Sequence, residues 1–115
     1  MSYLRIISID KPKGWTSFDV VRFVKRQFQE KKVGHLGTLD PMATGVLPVF
    51  LGQATRLIPL FNNVDKTYRA ICKFGESTDT YDAEGTVTQT LDPSFLNQQE
   101  VTKAVYSFLG QQEQQ

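Results

Sequence analysis

Apolar positions along this chain change period several times, and each change marks a predicted element. Residues 3–9, Tyr-Leu-Arg-Ile-Ile-Ser-Ile, form a run rich in β-branched side chains and predict a strand. Lys11-Pro12-Lys13-Gly14 carries the proline and glycine of a turn. Thr16 or Ser17 can then cap a helix, because Phe18, Val21, Val24, Lys25 and Phe28 recur at helical spacing. That helix should end near Glu30, with Lys25 and Arg26 at the negative end of its dipole.

Residues 33–45 lose all periodicity, contain three glycines and a proline, and predict a structured loop. Val46 to Leu51 reads as a short strand, and Pro48 within it implies an edge or an irregular ladder. Gln53 to Phe61 predicts a short helix, and the alternating segment Thr67 to Phe74 a strand. Gly75 to Gly85 is acidic and turn-rich, and Thr86 to Thr90 predicts another strand. Asn97 with Glu100 resembles a capping box ahead of the stripe Val101, Ala104, Val105, Phe108 and Leu109, which Gly110 stops. The order β, α, β, α, β, β, α places the chain in the α/β or α+β group, a mixed sheet with helices.

Composition adds bounds. The 115 residues are one domain's worth, with 40% hydrophobic and 22% charged residues. A single cysteine, Cys72, excludes an intramolecular disulfide and a thiolate metal cluster; its alternating neighbours suggest a small buried hydrophobe. The N-terminus has no signal-peptide pattern, no apolar run could span a bilayer, and a cytoplasmic protein is the expectation. Net charge is only +1, but its distribution is uneven. Residues 1–35 hold eight Lys and Arg against three acids, whereas residues 74–102 hold six acids and no Lys or Arg. Such asymmetry suits a surface that meets a polyanion on one face, but on charge alone solvated helix and loop charges account for it somewhat better.

The chemistry concentrates in Gly34-His35-Leu36-Gly37-Thr38-Leu39-Asp40-Pro41. Glycines let a ligand approach the main chain, and Pro41 pushes Asp40 toward extended backbone. An acid held this way is a fixed carboxylate, as nucleophilic or base catalysis requires. Asp-Pro is also a common turn former, and a lone histidine such as His35 is commonly structural, so both readings stand on local chemistry alone.

The stretch from Gly34 through Pro48 resembles the catalytic motif of the bacterial tRNA pseudouridine-55 synthase family (TruB), close to the archaeal and eukaryotic guide-RNA-dependent enzymes. Three more stretches resemble family motifs in the same order: Asp10 to Ser17, Asp65 to Ala70, and Gly75 to Gly85. The resemblance runs from about Leu4 to Gln114. It implies a pseudouridine synthase fold, a largely antiparallel mixed sheet with flanking helices, present here only in part. It implies an isomerase acting on uridine in the T-arm (position 55) of tRNA, with Asp40 as nucleophile and no metal or other cofactor. Tyr68 corresponds to the tyrosine that stacks on the target base, and His35 to the histidine that helps flip and hold bases. Lys11, Pro12 and Gly37 correspond to supporting positions. Trp15 fits RNA stacking and turn packing equally. Asp79 and Asp82 read as turn and cap residues.

Family members are much longer. The expectation is therefore that residues 1–115 are the N-terminal portion of a catalytic domain, inactive alone, lacking the arginine that pairs with the carboxylate and a C-terminal RNA-binding region. The full-length protein is expected to be monomeric, with tRNA as its partner and no membrane association. One alternative is a non-catalytic RNA-binding fragment or degenerate homologue. Another is a phosphoryl-transfer enzyme with Asp40 as acceptor, disfavoured because no second metal-binding carboxylate motif follows.

Overall fold

The computed structural model describes residues 4–114, in two units. The first runs to Thr67 and holds strands β1 (Arg5–Lys11), β2 (Val33–His35) and β3 (Gly45–Leu51), helix α1 (Ser17–Phe28) and a 3-10 helix (Gly52–Phe61). Its sheet is antiparallel in the order β1-β3-β2. The second, Tyr68 to Gln115, holds the antiparallel pair β4 (Glu76–Thr78) and β5 (Val87–Thr90), a 3-10 turn (Pro93–Phe95) and helix α2 (Gln98–Tyr106). Helices and antiparallel strands are therefore mixed, as the pattern of the sequence implies.

Period-two alternation builds the first unit. Along β1 the inward positions are Arg5, Ile7, Ile9 and Lys11, and Ser8 and Asp10 face out. Ile7 and Ile9 pack on a core of Val20 and Val24 from α1 with Leu47, Val49 and Leu51 from β3; Val33 and Leu39 close its margin. Helix α1 begins at a reciprocal cap. Thr16 Oγ accepts from the Asp19 amide at 2.9 Å, and Asp19 accepts from the Thr16 amide at 2.8 Å. It stops where Gln29 turns left-handed, with φ +50°, slightly earlier than the expected Glu30.

Several expectations change. Strand β1 sits later than 3–9, because Asp10 and Lys11 still find partners in Val46 and Gly45; Tyr3 lies outside the described residues. Val33–His35, expected as loop, is drawn into a strand by pairing with Val49 to Leu51. Pro48 is not on an edge. It lies in β3, the middle strand, opposite Ser8 on one side. Its carbonyl accepts from the Leu36 amide at 3.0 Å, so its donor-less nitrogen faces the place where β2 has just ended. A central proline is tolerated because the missing bond falls beyond the short strand. Gln53 to Phe61 winds as a 3-10 helix that includes Pro59. Residues 67–74 are not a strand: alternation becomes a strand only where a neighbour supplies hydrogen bonds, and Ile71 is 98% exposed. Cys72 is exposed, not buried. In α2 the Asn97 side chain caps the Glu100 amide, but Phe108 and Leu109 lie beyond the helix and are exposed.

Candidate active site

The loop joining β2 to β3 carries the candidate residues, and the β1–α1 turn holds that loop from below. Alternation along β1 directs Lys11 inward, where it is fully buried. Its Nζ donates to the carbonyls of Trp15 at 2.7 Å, Pro12 at 3.0 Å and Pro41 at 3.4 Å. Three donors thus meet three acceptors, which is what a protonated amine needs away from water. The Gly14 amide donates to the same Pro41 carbonyl at 2.7 Å, at a left-handed glycine with φ +89°. On the other side of Asp40, the buried Ser17 hydroxyl accepts from the Leu39 amide at 2.9 Å and donates to the Leu39 carbonyl at 3.1 Å.

Asp40 is therefore straddled. Leu39 and Pro41, its two neighbours, are both tied to residues 11–17. Its own carbonyl accepts from the Ala43 amide at 2.9 Å, closing a turn with Pro41 at the second position, where proline's fixed φ belongs. The side chain is left exposed. The ion pairs among the described residues join Arg5 to Glu30, Arg22 to Asp19 and Lys73 to Glu76, and Asp40 is in none of them.

His35 ends β2 and is half-buried, with Nδ1 hydrogen-bonded to the Gly37 carbonyl. A carbonyl only accepts, so Nδ1 is the donor in this contact. Gly37 takes φ +70°, and a side-chain carbon there would come to 3.6 Å from Lys66 Nζ. Gly34 is small for a different reason: a Cβ would lie 2.8 Å from Ile58 Cδ1. Lys11, Pro12, His35, Gly37 and Asp40 all belong to the first unit, whereas Tyr68 opens the second and is 65% exposed.

Trp15 packs edge-on against Phe23, with ring centroids 5.9 Å apart. The Asp79 carboxylate accepts from the Thr86 amide at 2.8 Å, and that of Asp82 from Thr80 Oγ at 2.6 Å and the Glu84 amide at 2.9 Å. Both therefore serve the turn between β4 and β5. Sequence reasoning did not single out Ser17 as more than a possible cap. Its partner is 22 residues away, and only its place directly after the capping Thr16 set it apart.

An exposed aspartate on a glycine-rich loop, with a buried lysine and a buried serine bonded to the residues on either side of it, lies in a chain that mixes helices with antiparallel strands. The particular family follows from comparison. Residues 25–115 match the TruB family pseudouridylate synthase (N terminal domain). The chain is 50% identical over 106 residues to tRNA pseudouridine synthase B of Clostridium tetani, covering 92% of this chain and 37% of that protein. It is 47% identical over 109 residues to the protein of the same name from Syntrophotalea carbinolica, covering 95% of this chain and 36% of that one. A chain in the structure of an H/ACA RNP bound to a substrate RNA containing 2'-deoxyuridine is 48% identical over the aligned part, with a TM-score of 0.47, covering 49% of this chain and 18% of that one. The chain belongs to the TruB family of pseudouridylate synthases. It spans a little over a third of the length of the curated relatives it matches.

Proposed function

We propose that the protein isomerises uridine to pseudouridine in the T-arm of tRNA, with Asp40 as the nucleophile. The observation that carries this reading is the straddling of Asp40: both adjacent residues are bonded to the β1–α1 turn, and the carboxylate itself is exposed. A nucleophile fixed in this way attacks without first losing its freedom of motion. The isomerisation balances within one nucleotide. The Asp40 carboxylate bonds transiently to the nucleotide, at C1′ or at the base; the bond from the ribose C1′ to N1 of uracil breaks, the base turns, a bond from C1′ to C5 forms, and the bond to Asp40 breaks to free the carboxylate. The proton at C5 leaves and N1 gains one. No oxidant, metal or energy source enters the balance.

His35 is read as the residue that holds flipped-out bases, its ring fixed through Gly37, and Tyr68 as the ring on which the target base stacks. Lys11, Pro12 and Gly37 support the loop. The basic residues of α1, Arg22, Lys25 and Arg26, suit phosphate contacts. The described residues hold no helix long and apolar enough to cross a membrane. A cytoplasmic, monomeric full-length enzyme is the matching assignment. Residues 1–115 are proposed as the N-terminal portion of its catalytic domain, inactive alone; the coverage of about a third of the relatives supports this. The test is conversion of a tRNA transcript, read as pseudouridine in nuclease digests. The full-length protein containing this sequence should convert it and residues 1–115 should not. Conversion by residues 1–115 would refute the partial-domain reading, and no conversion by the full-length protein would refute the activity.

A further inference from the structure

Resting on Asp40 as the nucleophile, we infer that Ser17 is a positioning residue that sets the Asp40 carboxylate through the backbone of Leu39. Ser17 is the first residue of α1, but the helix does not use its side chain as a cap. Thr16 fills that role, and Asp19 completes the reciprocal box. Ser17 is instead 3% exposed, and its hydroxyl is bonded to a residue 22 positions away.

One oxygen there serves both polar groups of Leu39, accepting from its amide at 2.9 Å and donating to its carbonyl at 3.1 Å. That carbonyl belongs to the peptide unit that enters Asp40. Fixing it fixes the plane from which the Asp40 side chain is hung. The Leu39 side chain packs at the margin of the core formed by Val20, Val24, Leu47, Val49 and Leu51, so the residue before Asp40 is held by backbone and side chain together. The hydroxyl is anchored in turn, because Val20, Val21 and Val24 of the same helix are buried.

The chemistry of the site selects a hydroxyl. Both a donor and an acceptor are needed at one atom. Alanine supplies neither, and an ionised aspartate only accepts. The bracing by Lys11 and Gly14 acts on Pro41, on the far side of Asp40, and cannot replace a contact at Leu39.

The test uses the full-length enzyme containing this sequence and compares Ser17→Ala with the parent on a tRNA transcript. A positioning role predicts a single-turnover rate lower by about 10–100-fold, because a displacement of about 1 Å costs on the order of a hundredfold. The Kd for the transcript should stay within about twofold, since Ser17 touches no RNA in this account. An unchanged rate overturns the inference. So does a rate that falls together with RNA affinity and melting temperature, which marks a general structural role. Should Ser17→Ala fail to fold, Ser17→Cys is the deciding variant. Its thiol keeps the space filled but hydrogen-bonds weakly, so a selective rate loss supports the inference, and a normal rate or loss of folding overturns it. An inactive parent overturns the Asp40 reading itself and this inference with it; an active parent with a normal Ser17→Ala rate overturns the inference alone.

Discussion

The Gly14 amide donates to the Pro41 carbonyl at 2.7 Å, joining the turn after β1 to the residue that follows Asp40. The same carbonyl lies 3.4 Å from Lys11 Nζ, so one backbone oxygen gathers the strand, the turn and the candidate catalytic loop. The register of β1 against β3 makes this possible. Pairing continues as far as Lys11 with Gly45, which brings the end of β1 beneath the loop that enters β3.

Replacing Lys11 by methionine should expose how far this bracing matters. Methionine fills a similar space but takes the amine away from three carbonyls, of which, among the described residues, only that of Pro41 keeps a second donor, the Gly14 amide. An unsatisfied buried polar group costs about 1–3 kcal/mol. Lys11→Met should therefore lower the stability of the full-length protein by at least about 1 kcal/mol and lower its rate of pseudouridine formation. Denaturant unfolding and single-turnover assays check both; unchanged values in both would remove Lys11 from the support of the loop.

Gly34 predicts a coupling between two substitutions. Gly34→Ala places a methyl 2.8 Å from Ile58 Cδ1, the movable end of its side chain. The clash should cost on the order of 1 kcal/mol, at the lower end of overpacking effects. Ile58→Val removes that carbon and should relieve most of the cost of Gly34→Ala. A double-mutant cycle by denaturant unfolding measures it, and additive effects would contradict the packing.

The start of α1 should respond to acid. The Asp19 carboxyl is held below its usual range by the Thr16 backbone amide first, then by the Arg22 guanidinium and the Thr16 side chain. A lowered folded-state pKa adds stability that is present above the ordinary value of 3.8 and is lost as pH falls through the folded value. Asp19→Asn should therefore weaken α1 at about pH 6, and the difference from the parent should shrink as the pH is lowered below about 4. Hydrogen-exchange opening free energies of α1 amides give the readout, and a difference that grows toward acid would reverse the assignment.

The sequence makes part of this architecture legible and hides part of it for physical reasons. Helix α1 announces itself because its cap, its apolar spacing and its basic last turn are all local signals. Pro48 implies an edge or an irregular ladder, and only the pairing decides between them: it lies in the middle strand, where β2 has ended. Residues 67–74 mislead, since they alternate like a strand but join no sheet among the described residues. The candidate loop stands out through its glycines and Asp40-Pro41, and motif resemblance points to its chemistry. The braces are harder to read. Lys11 reads locally as the start of a turn until the inward phase of β1 buries it, and Ser17 looks like a helix cap until the fold brings Leu39 beside it.

Asp40 is the residue proposed to perform the chemistry. Asp40→Asn in the full-length protein keeps the shape of the side chain and removes its charge, and the backbone bonds around it do not depend on the carboxylate. The decisive measurement is pseudouridine formed in a tRNA transcript by this variant under single-turnover conditions, with folding and RNA binding measured alongside. A folded, RNA-binding variant should form no detectable pseudouridine; pseudouridine formed at a rate near that of the parent would contradict Asp40 as the nucleophile.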